Sequence, residues 1–278
     1  MSGYWRRLQD VVCDRGSLCV GIDPHPGLLR AWKLSEDAAG VERFSREVIE
    51  ALGDQVAAFK PQSAFFERYG SAGIAVLERV LADISACGAL SILDIKRGDI
   101  GSTMEAYAAA YLSDGSPLAA DAITVSPYLG FGSLKPAFDL ALATERGVYV
   151  LARTSNPEGA GVQLALSDDS SVAQSIIDDA AQANLDSRHR AIGVVVGGTH
   201  KTLGCDVSAF NGSILVPGIG FQGGRISDLP GLFKDVVDQV LPVVGRGVIG
   251  AGPDHGALRG KVAELLAEAQ SRPNLIEE

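Results

Sequence analysis

Residues 89–96 read ALSILDIK. The run begins like the interior of a buried β-strand and finishes with a carboxylate and an ammonium, Asp94 and Lys96, two positions apart. Side chains two apart on a strand share a face, so these charges point one way and Ile95 the other. An apolar run of this length suits a parallel sheet covered by helices, and charge confined to the C-terminal end suits an end that opens onto a site.

Seven more runs repeat the pattern: SLCVGID (17–23), VAAFKPQ (56–62), DAITVSP (121–127), GVYVLART (147–154), AIGVVVGG (191–198), SILVPGIG (213–220) and LPVVGRGV (241–248). Seven of the eight are followed by a segment long enough for a crossover helix. The last is followed by ALRGKVAELLAEAQ, which has helical apolar spacing and stops before Pro273. Eight β-then-α units point to a single (β/α)8 TIM barrel spanning residues 1–278. A doubly wound open sheet can carry a similar strand count. The barrel is preferred because nearly every run is apolar at its start and polar, Gly or Pro at its end. In a barrel these ends converge on one rim. The longest irregular stretch, SNPEGAGVQLALSDDSS (155–171), reads as an inserted loop over that rim.

Composition narrows the function. A chain of 278 residues can bury a large core, and no apolar stretch reaches the length of a membrane span. The N-terminus lacks an apolar core and a small-residue cleavage site, and Cys13, Cys19, Cys87 and Cys205 form no C-x-x-C pair. These features lead us to expect a cytoplasmic protein with reduced thiols and no membrane partner. The net charge of −10 opposes nucleic-acid binding, so an anionic ligand needs a local cationic pocket. His25, His189, His200 and His255 show no zinc spacing, and no G-x-S-x-G occurs. We therefore expect no metal site and no serine nucleophile.

Asp23 and Lys60 end the first two runs and would lie beside Asp94 and Lys96, an alternation of charges on neighbouring strands. Such an array can close the top of a barrel as an ion-pair network. Two lysines so close together, however, serve chemistry on an anion better than stability. Asp99 follows in a turn bounded by Gly98 and Gly101, and TMEAYAAAYL then reads as a helix. Arg97 faces away from Lys96 on a strand. VPGIGFQGG contains G-x-G-x-x-G at Gly218, Gly220 and Gly223, but no acidic residue stands where a dinucleotide fold needs one. On a barrel, loops after the seventh and eighth strands form a phosphate site, with Pro217, Gly218, Gly220 and Gly245 presenting backbone and Arg246 adding a charged contact. Ser155 and Asn156 suit hydrogen bonds to a polar ring, or an ordinary turn.

Taken together, Asp94-x-Lys96-x-x-Asp99-Ile100-x-x-Thr103, with Lys60 ending the second strand, resembles the catalytic array of the orotidine 5′-phosphate decarboxylase family. LDIKRGDIGST is similar to a signature of its longer, type 2 branch, found mainly in bacteria. The resemblance runs from GIDPHP through FKPQSAFFE, SPYLG and RTSNPEG to VPGIGFQGG and GRG. It implies a homodimer that converts orotidine 5′-monophosphate to uridine 5′-monophosphate and carbon dioxide without metal or organic cofactor. Under it, Lys96 protonates C6 of the pyrimidine and Asp94 lies near the departing carboxylate. Asp99 and Thr103, with Ile100 among the binding residues, reach the ribose across the dimer interface. Asp23 and Lys60 hold ribose hydroxyls, Ser155 contacts the pyrimidine, and Gln222 with Arg246 grips the phosphate. Nothing is carried over for 156–190. The alternatives are a metal-dependent sugar-phosphate decarboxylase or aldolase, a non-catalytic nucleotide sensor and a dinucleotide-dependent dehydrogenase.

Overall fold

Eight parallel strands form in the order of the sequence runs: β1 Cys19–Ile22, β2 Ala58–Pro61, β3 Leu90–Arg97, β4 Ala122–Val125, β5 Gly147–Arg153, β6 Ile192–Val196, β7 Ile214–Ile219 and β8 Val240–Val244. Each pairs with its sequence neighbours, and β8 closes on β1 through Cys19 against Val243 and Val20 against Val244. The result is a closed (β/α)8 barrel. The computed structural model describes residues 3–270. Pro273, the expected stop of the last helix, lies outside the described residues, as do Met1 and Ser2.

The helical layer consists of α1 Tyr4–Arg15, α2 Ala38–Leu52, α3 Gly70–Ala86, α4 Gly101–Leu112, α5 Lys135–Ala143, α6 Val172–Ser187 and α7 His255–Gln270, with shorter turns between them. Three of the longer helices start on side-chain caps. Asp37 accepts from the Gly40 amide at 2.8 Å, Ser171 from the Gln174 amide at 3.1 Å and Asp254 from the Ala257 amide at 2.8 Å, satisfying backbone donors that have no partner within the helix.

Strand parity divides the core in two. Along β3, Leu90 and Ile92 join an inner cluster that fills the barrel with Ala58, Ala122, Val195 and Leu215, whereas Leu93 and Ile95 pack outward against the helices. Asp94 continues the inward series one step nearer the rim. The opposite end of the barrel is stoppered by α1. Its Tyr4 hydroxyl is 2.9 Å from that of Tyr149, which donates to Ser213 at 2.9 Å. Arg7 pairs with Asp121, which accepts from the Ser91 amide at 2.9 Å.

Three segments depart from the expected pattern. The stretch 197–213 after β6 contains no helix, because Gly197-Gly198, Gly204 and Asn211-Gly212 break any helical run in it. After β7 the crossover is broken into 3₁₀ turns at Ile226–Asp228 and Lys234–Gln239 around a five-residue helix, Leu229–Phe233. The run 241–248 ends its strand at Val244, and Arg246–Ile249 begins a one-turn helix. Within 155–171 the chain forms a 3₁₀ turn at Pro157–Gly159, a short helix at Ala160–Gln163 and a two-residue antiparallel ladder joining Leu166–Ser167 to Ser170–Ser171.

Candidate active site

The end of β3 is not a regular strand. Its pairing with β4 shifts register between Leu93 and Arg97, and Lys96 adopts a left-handed backbone with φ of 47°. That conformation costs a non-glycine residue roughly 1–2 kcal/mol, so the surroundings must impose it. Gly98 helps to do so, since a Cβ there would overlap the Ser126 carbonyl oxygen at the end of β4. Arg97 turns outward and pairs with Glu67 at 2.6 Å.

Asp94 is 7 % exposed and fully engaged. Its Oδ2 accepts from Lys60 Nζ at 2.7 Å, and its Oδ1 from Lys96 Nζ at 2.6 Å and Thr124 Oγ1 at 2.7 Å. Thr124 Oγ1 in turn accepts from the Lys96 amide at 3.1 Å. With its amide oriented to match its neighbours, Gln62 donates to Asp94 Oδ2 at 3.2 Å and accepts from Lys96 Nζ at 3.3 Å. Burial by itself would raise the Asp94 pKa, but Lys60 and Lys96 overcome it and hold the carboxyl well below the usual range. Burial would likewise lower that of Lys60, but Asp94 and Asp23 hold its ammonium above the ordinary lysine value. Lys60 is as buried as Asp94, whereas the Lys96 side chain is 43 % exposed. The array thus has an enclosed, paired interior and one accessible cation. Asp23 completes it, with a buried Oδ1 that has no hydrogen-bond partner among the described residues.

These residues form one wall of a cavity of about 580 Å³ at the C-terminal rim. Across it stand Ser155, Pro217, Gly218, Gln222, Gly245 and Arg246. The 218–224 loop is closed by its own amides, with Gly220 N donating to Gly224 O and Gly223 N to Gly220 O, both at 2.8 Å. Gly218, at φ 98°, has Thr199 so close that a Cβ would lie 2.7 Å from its Cγ2. From the loop tip, Gln222 Oε1 accepts from Ser155 Oγ at 3.0 Å, while the Phe221 ring lies under Arg246 with 3.6 Å between the guanidinium carbon and the ring centroid. The Ser155 carbonyl accepts from Thr199 Oγ1 at 3.0 Å, and the Thr154 amide donates to Gln163 at 3.0 Å. Ser155 is therefore fixed from both sides.

Of the residues singled out in the sequence, the cavity gathers Asp23, Lys60, Asp94, Lys96, Ser155, Asn156, Pro217, Gly218, Gln222, Gly245 and Arg246. It does not include Asp99, Ile100 or Thr103. Ile100 and Thr103 are exposed, and Asp99 accepts from its neighbour's amide at 2.8 Å. Gly220 shapes its loop from behind the lining. Sequence reasoning missed Gln62, Thr124 and Phe221. Strand parity offered a signal for Gln62, which follows Lys60 by two positions on the same face; an uncharged Thr and an apolar Phe carried none. Among the described residues, the grouping of possible metal ligands is Glu47, Glu50 and His255, which lie on α2 and α7 outside the barrel and do not line this cavity. The Cys19 thiol, inside the barrel, is pushed up to about 12 by burial, which favours the thiol over the nucleophilic thiolate.

The profile of the orotidine 5′-phosphate decarboxylase / HUMPS family matches residues 16–260. An orotidine 5′-phosphate decarboxylase of Salinispora tropica is 53 % identical over 273 residues, covering 98 % of each chain, and one of Streptomyces coelicolor is 51 % identical with the same coverage. Among solved structures, a protein of Streptomyces avermitilis assigned to the same activity superimposes with a TM-score of 0.91 at 51 % identity, covering 98 % of this chain and 96 % of its own. A UMP synthase of Leishmania donovani gives 0.80 at 31 % identity, with 96 % of this chain matched to 56 % of that longer one.

Proposed function

The chain belongs to the orotidine 5′-phosphate decarboxylase / HUMPS family, and from that premise we propose that it converts orotidine 5′-monophosphate to uridine 5′-monophosphate and carbon dioxide, a step of pyrimidine biosynthesis. The observation that carries the reading is the Lys60–Asp94–Lys96 array, two ammoniums on one buried carboxylate with the second ammonium open to the cavity.

Lys96 faces C6 of the pyrimidine. When the bond from C6 to the carboxylate breaks, its electron pair stays on C6 and carbon dioxide leaves. A fixed ammonium beside that carbon stabilises charge that exists only as the bond breaks. An N–H of Lys96 then transfers its proton to C6, and solvent restores the lysine. Asp94 stays ionised throughout, as its depressed pKa supports, and aims the ammonium. Both Asp94 oxygens are occupied by cations, which argues against its serving as the ligand of a divalent metal in a sugar-phosphate lyase.

Asp23, with an unsatisfied buried oxygen, and Lys60 accept and donate to ribose hydroxyls. Ser155 bonds the pyrimidine. Gln222, Arg246 and the backbone amides of Gly218 and Gly245 hold the phosphate, Pro217 lines the pocket without offering a donor, Gly220, whose amide is taken by Gly224, shapes the loop, and residues 155–171 cover the bound nucleotide. Phosphate binding, remote from C6, stabilises the closed site. Two copies of the chain pair through the rim after β3 and β4, so that Asp99, Ile100 and Thr103 complete the partner's site. Their position outside their own cavity supports this, as does the exposure of Ile100 (62 %) after β3 and of Tyr128 (83 %) and Leu129 (52 %) after the neighbouring β4.

The test is turnover of orotidine 5′-monophosphate followed by its loss of absorbance. The expected result is activity that falls at least about 10³-fold in Lys96→Ala while the fold is retained. A folded Lys96→Ala variant with near-normal turnover would overturn the proton donor. Folded wild-type protein without turnover would overturn the substrate.

A further inference from the structure

Phe221 is an anomaly in the loop that carries it. A phenyl ring 67 % exposed at the tip of a glycine-closed turn gains little from burial, yet its face lies against Arg246. The three other cation–ring pairs among the described residues are 5.6 to 5.9 Å apart, whereas this one is at 3.6 Å, direct stacking contact. Among the described residues no carboxylate lies within ion-pair distance of Arg246. The ring is therefore the group that fixes its plane.

A guanidinium stacked by its face keeps all its in-plane N–H donors free. Those edges are what a phosphate needs, because a bidentate contact forms in the plane. A carboxylate partner in the same place would occupy the donors and oppose an anionic ligand. The loop geometry makes the arrangement specific. Gly220 and Gly223, both at positive φ, bracket Phe221-Gln222, so that adjacent residues serve opposite sides of the cavity, one under Arg246 and the other bonded to Ser155.

Resting on the decarboxylase reading, we infer that Phe221 is a positioning residue for the substrate phosphate, acting through Arg246 by holding its guanidinium plane edge-on to the phosphate without consuming a donor. It does not touch the reacting carbon. Its loss therefore weakens substrate and transition state alike, which raises KM and leaves kcat nearly unchanged. The size expected of one stacked, partly exposed pair is about three- to tenfold in KM. An aromatic replacement preserves the effect; an aliphatic one of similar bulk does not.

The experiment is a double-mutant cycle on orotidine 5′-monophosphate turnover with wild type, Phe221→Ala, Arg246→Ala and the double variant, plus Phe221→Tyr and Phe221→Leu. We expect Phe221→Ala to raise KM as stated, Phe221→Tyr to restore it, Phe221→Leu to resemble Ala, and Phe221→Ala to change kcat/KM less than twofold once Arg246 is already Ala. Fully additive losses, rescue by Leu, or a fall confined to kcat would each overturn the inference while leaving the decarboxylase reading intact, because wild-type turnover is measured in the same series. Absence of wild-type turnover would remove that reading and the inference with it.

Discussion

Asp94 concentrates the energetic risk of the site. Replacing it with Ala leaves Lys60 buried without its counter-charge, and breaking such a pair from one side costs about 3–5 kcal/mol, to be read from denaturant midpoints. The pH dependence follows from the directions of the two shifts. Asp94 is depressed, so its contribution is complete above the unfolded carboxylate value near about 4 and is lost as the pH falls through its lower folded value. Lys60 is raised, so its contribution is complete below about 10 and is lost as the pH rises through its higher folded value. Stability arising from the pair should thus be flat between those limits. Unfolding measured from pH 5 down to pH 2 should show a slope from this group in wild type that is missing in Asp94→Asn; equal slopes would refute the assignment. The sequence disclosed Asp23, Lys60, Asp94 and Lys96 as neighbours because parity and strand order place charged ends regardless of detail. It did not disclose Thr124, whose hydroxyl ties Asp94 to the Lys96 amide, since a strand Thr is as common in a core as in a site.

At the level of the element, β3 shows where periodic reasoning stops. Alternation holds from Leu90 to Asp94, then the register shift and the left-handed Lys96 replace it, and apart from one glycine nothing in LDIKRGDIGST distinguishes that bend from a straight strand end. Gly98 is the visible trace of it. Gly98→Ala should push the turn away from Ser126, cost about 1–3 kcal/mol as overpacking does, and lower kcat by displacing the Lys96 ammonium. Unchanged stability together with unchanged kcat would show that the turn is not what imposes the bend. The helix expected after β6 failed for a related reason. The length of 197–213 admits a crossover helix, but its glycines and Asn211-Gly212 do not, so composition outweighed spacing.

For the whole molecule, eight apolar runs with polar ends were enough to identify the barrel, because the two-sided burial of a parallel sheet leaves few other places for charge. The proposed dimer carries its own prediction. If Asp99 serves the neighbouring copy, Lys96→Ala and Asp99→Ala are each nearly inactive, but dissociating and re-pairing equal amounts should restore about one quarter of wild-type activity, since half of the dimers are mixed and each mixed dimer holds one intact site. No recovery on re-pairing would place Asp99 in its own chain's site or outside catalysis. The feature the sequence hid most completely is α1: YWRRLQDVVCDR read only as an N-terminus without the apolar core of a signal, yet Tyr4 and Leu8 are buried and stopper the barrel. Its partners are far along the chain, with Tyr149 lying 145 residues after Tyr4 and Asp121 lying 114 after Arg7. Synthesis proceeds from the N-terminus, and a contact closing so long a loop forms only once both ends exist. The apolar face of α1 therefore cannot be covered by these partners until the chain has been made at least as far as Tyr149.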